Sequence, residues 1–411
     1  MSRILGLFIL IFALALTQWA FRFDLPNSPV DAFLRVMTML LDFFLLSIAF
    51  AMLWKADGIV SRMRTLGTSY PRSVLVFFGL FLAYGTILSA EIGARVYFKH
   101  GYTPPYIEQT YWKPRATQRD TVLGTCLPPD TVISHAYIIN DSLIYEQFYR
   151  IDQFGRRENP QTRPDSSYHR FAMITGCSFA FGYGLSAEQT LSYYLDSLTG
   201  MRAYNYGIPG HGTQQTLALL RSRNLKAELS EPNGVLIHLF IDDHIKRLIG
   251  SRRLINLWAS DFPYYHLDGG ELKHQGSFLT GRQLLSRFYR VLSQSSFIAL
   301  FDIEVPWYVS NSHLELFGAV LREAKSEFLT LYPDGRFVVV IAPNSTLAPR
   351  VRSVLVANNI EVLDLSARLN KDEREYKIHW TEAHPNGNYY LKVAEALKDY
   401  LNNQHSTGKP R

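Results

Sequence analysis

Only two cysteines, Cys126 and Cys177, occur in the 411 residues, so no disulfide framework holds this chain together. Both fall in the part read below as lying outside a membrane, where an oxidising compartment permits them to pair. Cys177 equally suits a free state, as a small thiol packed at a buried strand end. Other absences narrow the chemistry. No Gly-rich phosphate loop, dinucleotide fingerprint or metal-ligand spacing appears, and the Gly-x-His-Gly around His211 is too little for a metal site. No cofactor and no metal are therefore expected. There is no low-complexity tract and no internal repeat. The net charge of +6 is modest, and no Lys/Arg-rich cluster occurs in the part read as soluble, so nucleic acid is not an expected partner.

What is abundant is apolar sequence near the start. Three stretches, 4–21, 33–54 and 74–98, each approach the ~20 residues a helix needs to cross a bilayer. The first also resembles a signal peptide, with Arg3 ahead of it. No clear small-x-small cleavage site follows, however, and Trp19 and Phe21 suit interfacial anchors. The loop after the second stretch carries Lys55, Arg62, Arg64 and Arg72 against Asp57 alone, whereas the loop after the first carries Arg22 with Asp24 and Asp31. The positive-inside rule places the more basic loop in the cytoplasm. Everything after the third stretch is then extracytoplasmic, in a bacterium the periplasm, on a multi-pass inner-membrane protein. Asp42 in the second stretch reads as a polar contact between helices, and Glu91 with Arg95 in the third as an ion pair.

Past this membrane module (1–100), residues 101–168 are rich in Pro, Thr, Tyr and Asp. Alternating runs at 132–139 and 143–151 predict a strand-containing connector packed on the main domain. From 169 to 404 compact apolar runs alternate with amphipathic stretches. That rhythm predicts an α/β fold, a three-layer α/β/α sandwich of flavodoxin-like type around a mostly parallel sheet. Residues 241–312 break the rhythm and read as an insertion with helices of its own, either a substrate lid or a segment packing on the membrane module.

In such a sheet ligands gather at the carboxyl ends of the strands. Four strand-end blocks stand out: Gly176-Cys177-Ser178, Asn205 through Gly210 to Gln215, Ile241-Asp242-Asp243-His244, and Glu382-Ala383-His384-Pro385-Asn386. Their order, spacing and placement resemble the SGNH/GDSL hydrolase superfamily over 170–401. The resemblance implies Ser178 as nucleophile and His384 as its base. The residues agree: a serine directly after a strand presents both its hydroxyl and its own N–H at a helix start, although an N-cap serine occupies the same kind of position. His379 is the competing histidine, and Cys177 the competing nucleophile.

The family's usual acid position, three before the histidine, holds Thr381 here. Glu382 is the nearest carboxylate and is taken as the third member, with Asp364 as the alternative. For the oxyanion hole the resemblance implies the N–H groups of Ser178 and Gly210. The third donor, normally Asn, aligns with Asp242, whose carboxylate would repel an oxyanion. Either Asp242 is protonated, or His244 or Gln214 supplies the donor, or the hole has two members; Asp243, His244 and Arg247 also suit a buried ion-pair cluster. The expected activity is a membrane-anchored serine esterase working through a Ser-His-Glu acyl-enzyme on an acyl ester. O-acyl transfer to a cell-envelope polysaccharide or lipid is the alternative. A binding module that has lost activity is a third reading, motivated by Asp242 and Thr381.

Overall fold

The structure, a computed structural model, describes residues 68–370 and 372–406, with isolated earlier positions at 7, 10, 11, 45–47, 50, 58, 61 and 65. It divides into two compact units. One holds the helix Pro71–His100 together with Arg290–Ile303. Within that unit Glu91 binds Arg95 at 2.9 Å and also accepts from the Ser295 hydroxyl (2.6 Å) and the Ser296 and Phe297 amides (2.9 and 3.1 Å). A carboxylate there satisfies the first free N–H groups of the short helix Ser296–Leu300.

Among the described residues no helix is long and apolar enough to cross a membrane. The three expected membrane-spanning helices thus gain no support from them. The first two stretches lie almost entirely outside the described residues, as do several side chains between 71 and 84.

The second unit, Pro104–Tyr289 with Glu304–Arg411, carries the fold. It begins with β1 (Glu108–Lys113), the short strands β2 (Gln118–Asp120) and β3 (Gly124–Cys126), and a long hairpin of β4 (Thr131–Ile139) and β5 (Ser142–Ile151). Antiparallel pairing in the order β1-β4-β5 makes one small sheet. The connector expected at 101–168 therefore has strands where the sequence alternates.

The core strands follow: β6 (Phe171–Thr175), β7 (Arg202–Asn205), β8 (Gly234–Phe240), then β11 (Arg336–Ile341) and β12 (Glu361–Asp364) after an inserted hairpin, β9 (Pro263–Asp268) and β10 (Glu271–Ser277). The five core strands are parallel in the order β12-β11-β8-β6-β7. Counted along the chain this is the doubly wound order 2-1-3-4-5, with its switch point between β6 and β8. Arg157 bridges Ile151 to Asn205 and so joins the small sheet to the β7 edge.

Period-2 alternation splits each core strand between two hydrophobic layers. Phe171, Met173, Leu236, Phe240, Phe337 and Val339 face one core, against helices Thr213–Ser222, Asn311–Leu331 and Ala348–Ala357. Ala172, Ile174, Val235, Ile237, Val338 and Val340 face the other, against Leu191–Thr199 and Gly387–Ser406. Burial on both faces explains why these strands read as unbroken apolar runs. The expected insertion contains the β9–β10 hairpin as well as helices, and its residues 290–303 belong to the other unit.

Candidate active site

Strand β6 ends at Thr175, and Gly176 turns the chain into the four-residue helix Ser178–Phe181. Being first in that helix, Ser178 has an N–H with no intrahelical acceptor. The loop after β7 lies directly against this turn. A side chain at Gly207 would come within 2.4 Å of the Phe181 nitrogen, so only glycine permits the approach. Gly210 follows in the same loop at φ +86.

The chain returns to this edge just before its last helix. His384 Nε2 lies 2.8 Å from Ser178 Oγ, and its Nδ1 lies 2.7 Å from Glu382 Oε1. The remaining Glu382 oxygen, Oε2, accepts from the Tyr145 hydroxyl at 3.3 Å. Ser178 and Glu382 are buried. Burial acts to push the Glu382 carboxyl up, but the bonds from His384 and Tyr145 outweigh it and hold the group below the usual carboxylate range. The ring of Tyr183 stacks on His384 with centroids 4.2 Å apart, fixing the imidazole plane.

Behind the relay stands an aromatic wall from the small sheet. Trp112 stacks on His135 at 3.9 Å, and His135 Nδ1 meets the Tyr149 hydroxyl at 3.0 Å. That hydroxyl also accepts from the Gly184 amide at 2.8 Å. Burial pushes His135 down to about 4, so it is neutral near neutral pH.

Arg157, fully buried, donates to the carbonyls of Phe181 (2.8 Å), Gly182 (2.6 Å) and Leu185 (2.7 Å). Burial lowers its pKa to about 10, which leaves it charged at neutral pH, a cation at the carboxyl end of the helix Ser178–Phe181. Neither Arg157 nor Tyr145, Tyr149 and Tyr183 was marked by the sequence. Tyr145 and Tyr149, four apart on a strand and so on one face, were the available signal.

Other expected residues fall elsewhere. Asp242 is engaged away from Ser178. Its carboxylate accepts from the hydroxyls of Ser345 and Thr346 and from the amides of Thr346 (2.8 Å) and Leu347 (3.3 Å), which ties down the start of helix Ala348–Ala357. Both carboxylate oxygens are thereby engaged by residues 345–347. His244 is wholly enclosed against His238 and Phe240, and neither of its ring nitrogens has a partner. Burial drives it well below the ordinary histidine range, so it is neutral and reaches no surface where a substrate could lie. The amide of Gln214 donates to the Arg247 carbonyl at 2.9 Å. Asp364 accepts from Ser366, and His379 binds the Thr381 hydroxyl at 2.8 Å, so neither joins the relay. Cys126 and Cys177 are both free and buried. A cavity of about 760 Å³ opens at the β7 edge beside Arg150, Glu158 and Arg202, and no relay residue lines it.

No protein-family model matches the sequence, and no curated protein matches it. Solved structures do match. One is a lipolytic protein of the G-D-S-L family from Desulfitobacterium hafniense DCB-2, at 13% identity and TM-score 0.31, covering 56% of this chain and 98% of that one. A second is an acetyl xylan esterase from the rumen bacterium Butyrivibrio proteoclasticus, at 9% identity and TM-score 0.37, covering 73% and 87%. A third is an acetylxylan esterase from Geobacillus stearothermophilus, at 12% identity and TM-score 0.30, covering 56% and 93%. These likenesses are loose, and the chemistry is read from the site's own geometry.

Proposed function

We propose that the chain is a serine esterase that cleaves an acyl ester through a covalent Ser178 acyl-enzyme. The observation that carries this is the unbroken relay Ser178–His384–Glu382, at 2.8 and 2.7 Å, at the switch point of a parallel sheet. His384 Nε2 takes the hydroxyl proton as Ser178 Oγ attacks the ester carbonyl, and returns it to the departing alcohol. Glu382 holds Nδ1–H and stabilises the imidazolium formed in between. The N–H groups of Ser178 and Gly210 receive the oxyanion. With Asp242 turned to residues 345–347, this is a two-donor hole. Water, activated by His384, then releases the acid.

Turnover of a small aryl acetate tests this: Ser178→Ala should remove it, by roughly 10³-fold or more. Full retention of turnover in that variant would sink the reading. Supplying a sugar acceptor in the same assay separates hydrolysis from O-acyl transfer, since only transfer yields acylated glycan.

We also propose that stretches 4–21, 33–54 and 74–98 attach the chain to a membrane with the domain on the extracytoplasmic side. The support is the apolar sequence and the basic loop at 55–72. Protease added to intact spheroplasts should digest the domain; protection until lysis would contradict this.

A further inference from the structure

Helix Gln283–Leu292 is amphipathic in the reverse sense to a helix lying on a core. Its inward side is small and polar-tipped: Ser286 is fully buried with its hydroxyl on the Phe278 carbonyl at 2.7 Å, and Tyr289 is buried beside Arg282. Its outward side is apolar. Leu284, Phe288 and Val291, spaced i, i+4, i+7 on one face, are 84%, 53% and 47% exposed, with Leu285 on the flank of the same face. Arg287 and Arg290, both exposed, border that face on its other flank.

We infer that this face enters the headgroup layer of a lipid bilayer carrying anionic lipid. Three observations favour lipid over a protein partner. First, no acidic residue occurs from 272 to 301, a stretch that holds Lys273, Arg282, Arg287 and Arg290, so its charge complements an anionic surface. Second, exposed aromatic side chains follow in sequence at Phe301, Trp307 and Tyr308, and aromatic rings favour the interface between hydrocarbon and water. Third, the segment that follows, Arg290–Ile303, belongs to the same compact unit as Pro71–His100, the helix formed by the third apolar stretch, and is held there by Glu91 on Ser295 to Phe297. The inference rests on this exposure pattern and, through its third observation, on the membrane attachment proposed above; it is independent of the esterase chemistry.

The test uses the full chain reconstituted in vesicles of phosphatidylethanolamine and phosphatidylglycerol. Single cysteines replace Leu284, Phe288 and, as a control on the exposed side of another helix, Ser326; the native thiols are buried and stay unlabelled. Each carries an environment-sensitive fluorophore. Spin-labelled lipid should remove most of the emission at 284 and 288 and little at 326, and Arg287→Glu with Arg290→Glu should weaken the effect. If lipid quenches 284 and 288 no more than 326, the inference fails. It fails equally if both are shielded from a water-soluble quencher but untouched by lipid, since a protein surface, such as a second copy, then covers the face. Hydrolysis of a soluble aryl ester by the same variants reports on the relay separately, so the two readings fall or stand apart.

Discussion

At the scale of single residues, Tyr145 shows how the relay depends on a strand outside the parallel sheet. Its hydroxyl meets the Glu382 oxygen that His384 leaves free, so the carboxylate is satisfied at both ends. Tyr145→Phe removes one donor to the ionised form. Glu382 is depressed in the native protein; its ionised state is therefore present above its lowered pKa and lost as pH falls through it. Losing the Tyr145 bond raises that pKa and moves the loss upward. The variant should lose about 1 kcal/mol of transition-state stabilisation, a fall in kcat/KM of roughly fivefold, and its activity should fail at higher pH on the acidic side. A purely structural role would lower stability while leaving the pH profile where it was, and the profile decides between them. Ser178 stands out in the sequence because it directly follows an apolar run, whereas His384 and Glu382 stand out only through the resemblance of their block to a known motif. Asp242, doubtful as a donor from its charge alone, shows a complementary limit. Alignment to a family gives a position along the chain, whereas the role depends on which way the side chain turns, and nothing in the sequence points from Asp242 to Ser345 and Thr346.

At the scale of elements, the core strands were legible because burial on both faces makes them continuous apolar runs, and the helices because their apolar positions recur at helical spacing. The β9–β10 hairpin was missed although its signal was present. Gly269 and Gly270, at φ +57 and +88, form the two-residue turn between Asp268 and Glu271, which pair across it. The β4–β5 hairpin turns in the same way on Asn140 and Asp141, both at positive φ. What could not be read was the use of these elements. A strand with aromatics on one face looks the same whether it covers a core or, as β5 does with Tyr145 and Tyr149, builds the wall behind the relay histidine. The adjacent Arg156 and Arg157 likewise carry no mark of burial, yet Arg157 gathers three carbonyls around the helix that Ser178 begins. Arginine suits that task because its planar fork reaches several acceptors at once without losing its charge.

At the scale of the whole molecule, the parallel order brings residues 178 and 384, more than two hundred positions apart, to one sheet edge, and the small antiparallel sheet closes the site from the side. Both parts fall in one compact unit. The central claim is that Ser178 is a nucleophile activated by His384. The most direct measurement is reaction of the full chain with a serine-directed fluorophosphonate, followed by mapping of the modified peptide. The account predicts a single adduct on Ser178, formed fast in the native chain and at least ~10²-fold more slowly in His384→Ala, because the hydroxyl is unreactive without its base. No adduct, or one on a residue other than Ser178, would contradict it.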